Sequence, residues 1–197
     1  MSPTKAAKRL VLTVYRSARK CRRDESGVAA LEMAIVGPVL ALLFCGGGEI
    51  ALYARAAFQA SQMASTVADA VSRYEAITSS DIASIFSVSS DIMGNVDFAA
   101  NGYVVLTSVS RKAGATPKVI WQCKGGGLTS TSKVGQITKD ATLPNNLVLD
   151  ATDNVIVTEV FYKYTPMFSK MLTVDGNFYK TAVFRPRLGD LTSAPGC

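Results

Sequence analysis

The sequence contains no histidine. That absence removes the commonest general base and a frequent metal ligand, and it rules out a Ser-His-Asp triad. Charge is scarce as well: 18% of residues are Asp, Glu, Lys or Arg, against 48% apolar. The balance excludes a disordered chain and a highly charged soluble enzyme. Cysteine is limited to Cys21, Cys45, Cys123 and Cys197, with no spacing that suits a zinc site. The net charge of +6 is also confined. Eight of the 21 Lys/Arg and two of the 15 Asp/Glu fall within residues 1–27, so that segment accounts for the excess and the remainder is neutral. A nucleic-acid surface would spread its bases over a folded face among aromatics, so no nucleic acid is expected as a partner. The basic segment fits the cytoplasmic flank of a membrane span instead.

Local motifs add no catalytic chemistry. Gly125-Gly126-Gly127 lacks the lysine-plus-hydroxyl ending of a phosphate loop and reads as a flexible loop. Asp150 and Asp153 lack calcium-loop spacing and read as a solvated turn. The Ser/Thr run 129–132 has no base near it. No enzyme activity, cofactor or metal is expected.

What the chain does have is a long apolar run. Arg22-Arg23-Asp24-Glu25-Ser26-Gly27-Val28-Ala29-Ala30-Leu31-Glu32 leads into Met33 to Gly48, and between Ser26 and Gly48 the only charge is Glu32. The length is enough to cross a hydrocarbon core of roughly 30 Å. A carboxylate inside such a segment costs at least ~2.5 kcal/mol on the gentlest scale, which marks Glu32 as functional by default. Gly37, Pro38 and Gly46-Gly47-Gly48 interrupt the run. Pro38 should kink or loosen a helix there, and the glycines suit close helix packing or a soft point. Glu49 stands at the far edge, where water is expected to be close. Beyond it Leu52, Ala56, Ala60, Met63, Val67, Val71 and Tyr74 recur at three- and four-residue steps, an amphipathic stripe that needs a partner surface.

Thr78-Ser79-Ser80-Asp81 offers caps for a short second helix ending near Met93-Gly94. Four β-rich segments follow: 103–110, 118–123, 154–164 and 178–185. Their aromatics, Phe161, Tyr162, Tyr164, Phe178, Tyr179 and Phe184, read as core and cross-strand pairs. Short connections suggest antiparallel pairing. The fold class expected is α+β: a long N-terminal transmembrane and amphipathic helix packed on a small antiparallel β-sheet domain, with a short second helix. The divisions are 1–27 (cytoplasmic leader), 28–76 (helix) and 77–197 (extracytoplasmic α+β domain). Cys123 and Cys197 fall in that last domain. Two readings stand for them, a bridge, which an extracytoplasmic setting permits, or two free thiols.

The basic patch, lone glycine, four apolar residues and glutamate resemble the class III signal of type IV pilin-like proteins. The variant GVAALEMAIVGPVL, followed by GGGEIALYARAAFQAS, looks most like the TadE-like family, pseudopilins of the tight-adherence (Tad/Flp) pilus machinery. The resemblance covers Arg22 to about Tyr74 and the rest in outline. Val28 departs from the main pilin pattern, which usually carries phenylalanine there. The resemblance implies cleavage by a prepilin peptidase between Gly27 and Val28, which places Glu32 fifth in the mature chain. It implies that Glu32 pairs with the new amino terminus of a neighbouring subunit; the other reading is a hydrated carboxylate at headgroup level. The implied partners are the peptidase, other pilins or pseudopilins and the Tad assembly platform. The implied place is the bacterial inner membrane, single-pass, with the N-terminus cytoplasmic and the C-terminal domain periplasmic. The function expected is a minor pilin-like subunit for pilus assembly. The alternative is an uncleaved single-pass anchor with a periplasmic binding or assembly domain.

Overall fold

The computed structural model describes Tyr15, residues 26–167 and residues 176–197. The basic leader apart from Tyr15 and the segment 168–175 lie outside the described residues. The chain divides into two compact units, Met1–Gly47 and Gly48–Cys197. The boundary falls within helix α1, Ser26–Ser72, at its three consecutive glycines. The helical assignment runs through Pro38.

In the unit Gly48–Cys197 the second part of α1 meets a four-stranded antiparallel sheet. The strands are β1 Gly102–Ser110, β2 Lys118–Gly126, β3 Asn154–Lys163 and β4 Asn177–Phe184, in the order β2-β1-β3-β4. The α+β class and the helix-on-sheet packing are as the sequence led one to expect. Ala56, Ala60, Met63, Val67 and Val71 are buried, and they share one core with Val104, Leu106, Trp121, Ile156 and Val160. These helix positions follow the 3.6-residue period. The small ones let the helix lie close on the sheet. Full burial of each larger side chain contributes roughly 1.5–3 kcal/mol.

The opposite sheet face is covered too. Residues 127–153, with only the short 3-10 turn Pro144–Asn146, pack Val134, Leu143 and Leu149 against Val109, Val155 and Val157. Both central strands are therefore buried almost throughout. This explains why β1 and β3 read as near-continuous apolar runs rather than as a clean alternation. A bulge between Ser108 and Val109 adjusts the register against β2.

Three element details differ from the sequence reading. Helix α1 stops at Ser72, short of residue 76, because the C-terminal segment takes over its end. The Arg187 backbone N–H donates to the Ser72 carbonyl at 2.8 Å, and the Arg187 guanidinium reaches Asp69 at 2.6 Å. Helix α2, Ser79–Ser90, has the expected Thr78/Asp81 capping box, but it passes through the 3-10 turn Asp91–Met93 into an unexpected helix α3, Asn95–Asn101. The glycine loop is the third. Gly125 and Gly126 belong to β2, not to a flexible loop. A Cβ on Gly125 would lie 2.5 Å from the Phe86 ring, and one on Gly127 would lie 1.6 Å from the Ala99 carbonyl oxygen. These glycines let α2 and α3 approach the strand.

The C-terminal segment closes the domain. Trp121 Nε1 and Ser108 Oγ both donate to the Leu191 carbonyl at 2.8 Å. The Ser79 N–H donates to the Pro195 carbonyl at 3.1 Å. Cys123 and Cys197 form a disulfide, with Cα atoms 5.4 Å apart and a sequence separation of 74. Closing a loop of that size stabilises by about 4 kcal/mol in the chain-entropy model. Cys197→Ser should lower the unfolding free energy of the full chain in detergent by an amount of that order. Urea titration followed by Trp121 emission measures it, and alkylation with and without reductant should differ by two thiols.

Candidate functional site

The residues singled out for processing and assembly lie in the first two turns of α1, in the unit Met1–Gly47. Gly27, Val28 and Glu32 are all exposed. Val28 and Glu32 are one turn apart and share a face. Around them Leu31, Met33, Ile35, Val39, Leu42 and Phe44 are exposed as well. Among the described residues of this unit no side chain is buried. By length and composition the helix can cross a membrane once. Cys45, on this stretch, is a free thiol.

Among the described residues nothing gives the glycines of this stretch a steric reason. A Cβ added at Gly27, Gly37, Gly46 or Gly47 would meet nothing within 4 Å. Each glycine in a helix costs ~1 kcal/mol relative to alanine. At Gly27 the cost falls in the first turn, where the backbone frays most easily.

Glu49 is not where the sequence placed it. It is buried, only 2% exposed, and the Tyr164 hydroxyl donates to its Oε1 at 2.6 Å. The reason is tertiary: the chain leaving β3 carries Tyr164 onto the helix 115 residues from Glu49. Aromatic rings pack around the contact. Tyr53 meets Tyr164 edge-on at 5.8 Å and Phe178 at 4.8 Å. Burial, then the hydrogen bond to Glu49, pushes the Tyr164 phenol up to about 12.

A second buried carboxylate was missed by the sequence reading. Glu159 is fully buried in β3, on the sheet face covered by residues 127–153. It accepts from the Lys133 N–H at 2.8 Å, from the Tyr179 hydroxyl at 2.8 Å and from Ser132 Oγ. The Lys133 ammonium lies 3.9 Å above the Tyr179 ring. Burial and the bond to Glu159 raise the Tyr179 phenol above its ordinary range. The signal was present as one acid inside an apolar strand, Val157-Thr158-Glu159-Val160. Its partners, two on the covering loop and one on β4, fasten that loop to the sheet. They leave no vacant acid-base pair. Asp153, expected as a solvated turn, pairs with Arg185 at 2.6 Å, and Asp150 lies 3.9 Å from the same guanidinium.

The structure thus brings Cys123 and Cys197 together and sets Gly27, Val28 and Glu32 on one exposed helix start. Among the described residues no group of three or more Cys, Asp or Glu is arranged to hold a metal. No family model, curated protein or solved structure matches this chain.

The two phenols set an alkaline limit on the domain. The ordinary phenol value is 10.0. Above it the unfolded chain releases these protons while the folded chain keeps them, so the phenols' contribution to stability is fully present below about pH 10 and is lost from there toward 12. Tyr164→Phe should lower the melting temperature at neutral pH, by the loss of about 1 kcal/mol for the hydrogen bond. It should also make the alkaline fall shallower. Melting curves from pH 8 to 12 for both chains test this, and parallel curves would refute it.

Proposed function

We propose that this protein is a minor pilin-like subunit, similar to the TadE-like pseudopilins, processed by a prepilin peptidase between Gly27 and Val28. It serves assembly of a Tad-type pilus in a bacterial inner membrane. The observation that carries the reading is Glu32. It is a single exposed carboxylate in an exposed apolar helix compatible with one membrane span, and the described residues of its unit give it no counter-ion. Such a charge is tolerated when another chain supplies the partner. A cut after Gly27 supplies one, the new ammonium of Val28 on a neighbouring subunit. An ion pair in low dielectric sets register more than it adds stability.

Two further features support this assignment. Gly27 weakens the first helical turn without filling any space, which eases the extended backbone a peptidase needs. The Cys123–Cys197 bridge suits an oxidising compartment, and so a periplasmic domain. The function is structural, with no catalysis by the chain itself.

Amino-terminal sequencing of membrane-extracted protein should find Val28 first. A chain still carrying its basic leader would favour the uncleaved anchor. Glu32→Gln should leave cleavage and insertion intact and reduce surface pili at least tenfold, because it removes the charge and keeps the shape. Normal piliation would leave Glu32 as a hydrated carboxylate. Glu49→Gln is a different perturbation, acting through the buried Tyr164 contact, and should lower the melting temperature of the domain.

A further inference from the structure

A cleft of about 480 Å3 opens on the unit Gly48–Cys197. Its walls include Leu52, Arg55 and Gln59 from α1, Asp91 from the 3-10 turn, and Tyr164 and Met167 from the chain leaving β3. Two of these walls are held in place. Gln59 Nε2 donates to the Ile92 carbonyl at 2.7 Å, tying α1 to the 3-10 turn. Tyr164 is held by Glu49 at 2.6 Å. The cleft is therefore largely preformed.

Its chemistry is amphiphilic. Arg55 and Asp91 are both exposed, and among the described side chains neither sits in an ion pair. The rim carries two exposed apolar side chains, Met167, 73% exposed, and Leu52. One cation, one anion and an apolar rim match a molecule with a phosphate, an ammonium and a hydrocarbon tail. Position agrees. Leu52 and Arg55 stand about one and two turns past Gly48, where the apolar run ends. In sequence they are thus the residues nearest the apolar run in this cleft, and an arginine stem can snorkel toward an interfacial layer.

We propose that this cleft binds the headgroup of a zwitterionic phospholipid with a primary ammonium. Arg55 takes the phosphate, Asp91 takes the ammonium, and the acyl chains leave over Leu52 and Met167. The proposal rests on the membrane-span reading, not on cleavage or pilus assembly. Asp91 disfavours an anionic headgroup, which would bring a second negative charge to it. A quaternary ammonium cannot donate a hydrogen bond to the Asp91 carboxylate and binds less well.

The test is native mass spectrometry of the full chain in detergent, offered equal amounts of phosphatidylethanolamine, phosphatidylcholine and phosphatidylglycerol. One phosphatidylethanolamine should be retained about tenfold over the other two, as one charge-assisted hydrogen bond implies. Arg55→Gln should lower retention of all three lipids and Asp91→Asn should abolish the preference for phosphatidylethanolamine, while the Cys123–Cys197 bridge and the melting temperature stay unchanged. Equal retention of the three lipids, preference for phosphatidylglycerol, unchanged retention in Arg55→Gln or unchanged selectivity in Asp91→Asn would overturn the site. Alkaline carbonate extraction separates the two readings. A chain washed off the membrane would sink both the span and the cleft, whereas an inserted chain without lipid preference would sink the cleft alone.

Discussion

The contact on which the sheet domain depends is the stripe of small and medium apolar residues on α1 pressed against β1 and β3. Ala56, Ala60, Met63, Val67 and Val71 are all buried there. Alanine at successive turns (Ala56, Ala60 and Ala64) keeps the helix close, and Met63 fills the irregular space that remains. Because the helix covers one sheet face and residues 127–153 cover the other, the two middle strands have no solvent side. Everything else is fitted around that sandwich. The C-terminal segment caps the end of α1 through Ser72 and Asp69, then runs to Leu191, whose carbonyl receives Trp121 and Ser108 from the sheet.

Two carboxylates are buried in this apolar setting, and both take a tyrosine hydroxyl as partner. Glu49 is met by Tyr164 and Glu159 by Tyr179. A phenol is a neutral donor, so it satisfies an oxygen without adding a second buried charge. Such contacts specify arrangement more than they stabilise it. A one-residue slip of β3 would turn Glu159 toward α1 and away from Ser132 and Lys133. The glutamates thereby fix strand register, the seat of the covering loop and the rotation of the helix. Glu32 belongs to a different situation, exposed and surrounded by exposed apolar side chains.

Much of this was legible in the sequence, because the strands concentrate β-branched and aromatic residues and the connections between strands carry Gly, Pro or Asn. The α1 stripe and the Thr78 cap were legible for the same local reasons. What was not legible depended on distant partners. Glu49 looked solvated because Tyr164 is 115 residues away. The glycine trio looked flexible because Phe86 and Ala99, which require it, sit on separate helices. Helix α3 gave little local signal, since Gly94 caps it without any side-chain hydrogen bond. Its Phe98 is buried against Gly102, so tertiary packing rather than propensity makes it helical.

The two units differ in what they leave unfinished. The sheet domain is closed on itself, with both faces covered, its C-terminal segment bridged and its buried glutamates hydrogen-bonded. The stretch from Gly27 to Gly48 has the opposite character. Its apolar side chains are exposed, and among the described residues its carboxylate lacks a counter-ion and its glycines answer to no contact. Five helical glycines at ~1 kcal/mol each are a substantial cost against a net stability of 5–15 kcal/mol. In water such a segment has no physical justification. In lipid, small residues let helices approach closely, and a neighbouring chain can complete a charge. The selective pressure on this helix therefore comes from outside the single chain. The first unit has the composition of a segment solvated by lipid, while the second buries its own apolar side chains between helix, sheet and covering loop.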